Sequence, residues 1–105
     1  MMLRELNDAD VNIMLGIMYF NKAVPIINER ENTDNVKQKK KFDDLNNQAN
    51  ALLNIALKYY ETSNTLKADD IETLTYIKLC YAQLKNEEKV MELTKKINDL
   101  KASSK

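Results

Sequence analysis

Histidine and tryptophan are absent from this chain of 105 residues, and glycine, proline and cysteine occur once each. Without histidine there is no imidazole base, no Ser–His or Cys–His pair and no imidazole metal ligand. A single glycine cannot build a glycine-rich phosphate loop. The lone cysteine, Cys80, excludes an internal disulfide, and its place in an apolar helical pattern reads as a plain buried thiol. Charge of one sign is missing too: 16 Lys and Arg face 16 Asp and Glu, so no global field attracts nucleic acid. Adjacent acids such as Asp43/Asp44 and Asp69/Asp70 read as solvated or capping groups. No carboxylate spacing supports a metal, and no cofactor or metal site is expected. No apolar run reaches the roughly 18 residues of a membrane span, because Asn12, Asn21 and Lys22 interrupt the best one. The opening MMLRELNDAD puts acids and Asn where a signal peptide needs a basic region and a continuous apolar one.

What remains is 44% hydrophobic and 30% charged residues without strand-type alternation, the profile of an all-α chain. Punctuation divides it into four helices. The first starts near Asn7 or Asp8, with Asn7 as its cap and Asp8 and Asp10 as acids in its first turn; it runs through Ile13, Ile17, Phe20, Val24 and Ile27 and should kink at Pro25, or break with Pro25 opening a fresh turn. The polar stretch Asn28 to Val36 marks a turn, with Thr33 and Asp34 as possible caps for the second helix. In that helix Phe42, Leu45, Ala49, Leu52, Ala56, Tyr59, Ser63 and Leu66 step by three and four, a seam against an antiparallel neighbour, and Leu53, Ile55, Leu57 and Tyr60 widen it. Asp69 with Glu72 predicts a capping box for a third helix whose core side is Leu74, Ile77 and Tyr81. Asn86 caps a fourth, with the single stripe Val90, Leu93, Ile97 and Leu100, and the tail KASSK should fray.

Asn12, Leu15, Gly16 and Tyr19 fall on the pattern W-x2-L-G-x2-Y, as do Leu74, Ile77, Lys78 and Tyr81. Ala56, Tyr60, Ser63 and Ala68 match A-x3-F-x2-A-x4-P, with Ala68 in the proline place. On these residues the chain resembles the tetratricopeptide repeat (TPR) family, and in particular the C-terminal domain of bacterial TPR proteins with an expanded penultimate repeat. Asn12 and Leu74 at the Trp place, Lys78 at the second Gly place and Thr94 at the aromatic place depart from the pattern. A plain antiparallel four-helix bundle is the alternative. The resemblance implies one domain over residues 1–105, with an expanded repeat at about 8–68 and an ordinary one at about 69–102. Two antiparallel hairpins are expected, the first with elongated helices. Tyr19 and Tyr81 lie 62 positions apart, which leaves an insertion of about 28 residues over one repeat, or a hairpin projecting by roughly 21 Å. It also implies packing roles for Gly16, Tyr19, Ala56, Tyr60 and Tyr81, with Gly16 letting the second helix approach near Ala56.

The resemblance further implies a non-catalytic protein-interaction scaffold. Its partner-binding residues would be Ile13, Ile17, Phe20 and Asn21 on the first helix and Thr75, Leu79 and Gln83, with Ala82, on the third, with core or partner-helix packing as the alternative for Ile13, Ile17 and Phe20. A second reading is a structural cap or homo-oligomerisation module of a longer array. The first helix is apolar on several sides, including Val11, Met14, Leu15 and Met18, so an upstream repeat or the same face of a second copy is expected to cover it. The run KQKKK, Lys37 to Lys41, reads as a solvated hairpin tip, with a small basic contact for an acidic partner or anionic lipid as the alternative.

Overall fold

The computed structural model describes residues 8–103. Asp8 opens the first helix: its carboxylate accepts the N–H groups of Asp10 at 2.8 Å and Val11 at 3.2 Å, two of the four donors a helix start leaves unpaired. Asp8, expected as an acid of the first turn, is thus the cap itself; Asn7, the expected cap, lies outside the described residues. Helix α1 spans Ala9–Glu31, α2 Lys39–Leu66, α3 Ile71–Gln83 and α4 Glu87–Ser103. The described residues are all-helical, and short connections fold them into two antiparallel hairpins, α1/α2 with long helices and α3/α4 with shorter ones, α3 packing on α2. Pro25 does not break α1 and lies on its exposed side.

Small residues set the first hairpin. On α1 the buried ridge is Asn12, Gly16, Ala23, Ile27 and Arg30; on α2 it is Leu45, Ala49, Leu53, Ala56, Leu57, Tyr60 and Ser63. The seam of α2 therefore differs from the expected one after Ala49, because the chain takes a step of four to Leu53 where a step of three to Leu52 was expected. Leu53 and Tyr60 occupy the centre, Leu52 and Tyr59 move to the edge, and Ile55 and Leu66 are exposed. Val24, expected on the core side of α1, is likewise exposed.

Gly16 answers for its position in the middle of a helix. A Cβ built there would lie 2.5 Å from Tyr60 Cε1 and 2.6 Å from Cδ1. The close neighbour is thus the Tyr60 ring and not Ala56, one turn earlier on α2. Tyr60 is 1% exposed and stacks on Tyr76 of α3, ring centroids 5.1 Å apart. With Ala56, Leu57, Ile77 and Cys80 it forms the cluster that joins the two hairpins. A second cluster, Ala23, Ile27, Ala49 and Leu53, fills the first hairpin, and Phe20 and Leu84 touch both.

The scarcity of glycine shows in the turns. Asp69 and Lys85 take positive φ, 61° and 63°, where glycine is the unstrained choice. At the end of α3, Asn86 N–H donates to Tyr81 O and Lys85 N–H to Ala82 O, the paired bonds of a Schellman motif with lysine in its left-handed place. Asn86 then starts α4, its Oδ1 accepting Lys89 N–H at 3.2 Å, as expected. The expected capping box of α3 is replaced. Asp70 takes the cap position and accepts the Thr73 hydroxyl at 2.7 Å, while Asp69 pairs with Lys96 at 3.3 Å. The α4 stripe is as read, with Ile97 buried and Val90, Leu93 and Leu100 half-buried. Lys101, Ala102 and Ser103 stay helical instead of fraying, and Ser103 donates to Leu100 O; Ser104 and Lys105 lie outside the described residues.

Candidate interaction surface

Arg30 lies in the stretch read as a polar tip, yet it is 2% exposed. Its guanidinium donates to Glu31 Oε1 at 2.8 Å, to Asn46 Oδ1 of α2 at 2.9 Å and, at a long 3.4 Å, to Gln83 Oε1 of α3. Thr33 is buried beside it and donates to Glu29 O. The end of α3 therefore reaches the end of α1, and the projecting part is shorter than expected. Beyond the Arg30–Asn46 contact α2 contributes only Lys39–Leu45, roughly 10 Å of helix. Within the turn of residues 32–38, Asp34 Oδ1 accepts Val36 and Lys37 N–H groups. These bonds hold the Asp34 carboxyl below its ordinary pKa, and they close one turn ahead of α2 instead of capping it. No side chain caps α2 itself.

An open groove of about 590 Å³ runs along this tip and is lined by Lys37 to Lys41, Asp44, Leu45 and Gln48. Its lysines are largely answered by acids: Lys39 meets Asp43 at 3.0 Å, Lys40 meets Asp44 at 3.7 Å and Lys41 meets Glu29 at 3.6 Å. The tip is a solvated mosaic of both signs.

A different surface stands out on α1 and α3. Opposite the buried ridge of α1, the positions Met14, Met18, Asn21 and Pro25 recur at four, three and four residues, one stripe of the helix, and all are exposed. On α3 the exposed stripe is Glu72, Thr75, Leu79 and Ala82. Met14 is 69% exposed and Leu79 45%. Between Val11 and Asn28 the only charged residue is Lys22, whose ammonium sits 5.0 Å from the Tyr19 ring centroid. Within α3 beyond Glu72 it is Lys78, half-buried. Apart from Glu72 at the start of α3 and Lys22, which turns to the Tyr19 ring, this surface carries no charge, in a chain that is 30% charged.

The expected partner-binding residues divide. Asn21, Thr75 and Leu79 are exposed, with the Thr75 hydroxyl donating to Ile71 O of its own helix. Ile13 is half-buried. Ile17 and Phe20 pack on the cluster that joins the hairpins, and Gln83 is drawn to Arg30. Met14 and Met18, one position along from Ile13 and Ile17, replace them on the exposed stripe. Their i, i+4 spacing continued by Asn21 was the available signal. Of the expected packing residues, Ala56 and Tyr60 are buried. Tyr19 stacks on Tyr59, centroids 5.7 Å apart, and the Tyr81 hydroxyl donates to Glu61 Oε2 at 3.2 Å.

Burial pushes the Cys80 thiol up to about 12, with the Glu61 charge adding to it. Burial, with smaller contributions from Cys80 and Tyr76, raises Tyr60 as well. Among the described residues, no three His, Cys, Asp or Glu side chains are placed to hold a metal ion, and no helix is long and apolar enough to cross a membrane. Comparison with protein-family models, with curated proteins and with solved structures finds no match to this chain.

Proposed function

We propose that the chain is a TPR-like, non-catalytic interaction module that binds a protein segment across α1 and α3. The observation that supports this reading is the uncharged exposed surface of Met14, Met18, Asn21, Thr75, Leu79 and Ala82. Exposed methionines adapt their shape at little cost and suit a surface that accepts apolar side chains. The hairpin architecture, Gly16 against Tyr60 and the repeated spacing of an aliphatic residue four positions before a tyrosine, Leu15 to Tyr19 and Ile77 to Tyr81, support the TPR-like part of the reading. No lysine or arginine stands in the exposed stripes to clamp a terminal carboxylate, so the segment is bound by its apolar side chains.

Selection from a displayed random peptide library, followed by fluorescence anisotropy on the purified chain, tests this. Selected peptides should be apolar and should lose at least about tenfold in affinity, or 1.4 kcal/mol, to Leu79→Glu. Ile55→Glu, on the exposed side of α2, should leave them bound. Peptides that bind equally to both variants would place recognition elsewhere.

A further inference from the structure

We infer that the α1 stripe pairs with the same stripe on a second copy of the chain, antiparallel about a two-fold axis near Met18. This rests on the proposal that the stripe is a protein-binding surface, and it names an occupant. In a two-fold interface every patch must be compatible with itself. Met14, Met18, Asn21 and Pro25 carry no charge, and the neighbouring Lys22 turns to the Tyr19 ring of its own helix; with the axis near Met18 each Lys22 falls at the level of the other copy's Met14 and not of its own twin, so the stripe meets its copy without close like-charge contact. Met14 and Met18 are 69% and 42% exposed.

Charge at the two ends sets the direction. Asp10 is exposed at the start of α1. Lys85 follows α3 directly after Leu84, which packs on the cluster of Ala23 and Ile27, so Lys85 stands at the level of the other end of α1. Asp10 lies eight residues before Met18 and Ile26 eight after, each about 12 Å along the helix. Antiparallel pairing about Met18 therefore brings the Asp10 of each copy to the level of the other's Lys85. Parallel pairing would set Asp10 against Asp10. The stripe is narrow beside the roughly 800 Å² per partner of a standard interface, so the pairing is weak.

Sedimentation equilibrium on the full chain, from micromolar to near-millimolar concentration, reads the result. A monomer–dimer equilibrium is expected, weakened about tenfold or more by Met18→Lys; because Met18 is exposed, the variant's far-UV circular dichroism should match the parent. Asp10→Lys should weaken pairing at low salt, and adding Lys85→Glu to it should restore affinity. A chain that stays monomeric throughout, or a dimer indifferent to Met18→Lys, overturns the pairing. If peptides that depend on Leu79 still bind such a chain, the peptide-binding surface stands without it.

Discussion

Replacing Gly16 by alanine sets two known effects against each other. Alanine is favoured over glycine by about 1 kcal/mol inside a helix. The new Cβ, however, falls 2.5, 2.6 and 2.9 Å from three atoms of the Tyr60 ring, where carbon atoms prefer about 3.5–4.0 Å. The ring cannot swing away, since it is 1% exposed and backed by Tyr76. Either α1 and α2 separate by up to an ångström, or the stack on α3 is disturbed. Overpacking of this kind costs about 1–3 kcal/mol, and so rigid a neighbour argues for the upper part of that range. Gly16→Ala should thus lose about 1–2 kcal/mol net, or roughly 4–16 °C in Tm for a domain of this size. Urea melts followed at 222 nm measure it. Repeating the substitution in a Tyr60→Leu background, where the ring is gone, should reverse its sign and leave a gain of up to about 1 kcal/mol, a coupling of roughly 2–3 kcal/mol. An alanine variant as stable as the parent, or one with the same effect in both backgrounds, would refute the argument.

Arg30→Ala should cost about 2–3 kcal/mol in the same melts, because it leaves the amide oxygens of Asn46 and Gln83 without their donor. A shorter turn in place of residues 34–38 should cost less than about 1 kcal/mol, since that segment bonds mainly to itself; removing Arg30 and Thr33 as well should abolish cooperative unfolding. Lys85→Gly should raise stability in urea by about 0.5–1 kcal/mol, the strain of a left-handed lysine being relieved. Stability should fall at alkaline pH. Below the ordinary thiol value of 9.0 Cys80 is protonated in both states, but above it the unfolded chain ionises first while the folded thiol holds its proton to about 12. Each pH unit in that window removes about 1.4 kcal/mol, and Cys80→Ala should flatten the slope above about pH 9.

Helix number, the hairpin pairing and the Asn86 start were legible because each rests on local chemistry: a side chain bonding an amide three residues on, or an apolar residue recurring with the helical period; the start of α1 was placed within a residue, but Asp8 was read as a first-turn acid and not as the cap. The step from Ala49 to Leu53 was not, since steps of three and four are equally helical and only the facing ridge of Gly16 and Ala23 chooses between them. Arg30 was hidden for a related reason. Its sequence neighbours Asn28, Glu29, Glu31 and Asn32 are exposed, and the partners that let it be buried stand 16 and 53 positions away. On the candidate surface, apolar character alone did not separate Met14 and Met18 from Ile13 and Ile17; the orientation of α1 on α2 did.

The buried thiol also gives the molecule a built-in clock for its own opening. Cys80 is 0% exposed, within the cluster that joins the two hairpins, and the chain has no other cysteine. A thiol reagent can reach it only when α3 parts from α2, so the labelling rate, compared with that of the unfolded chain, counts how often the second hairpin detaches. If α3 and α4 lift off as a unit, labelling outpaces what the global stability allows. If the four helices open only together, the two free energies coincide, and a single modified sulfur reports whether this chain is one cooperative body or two.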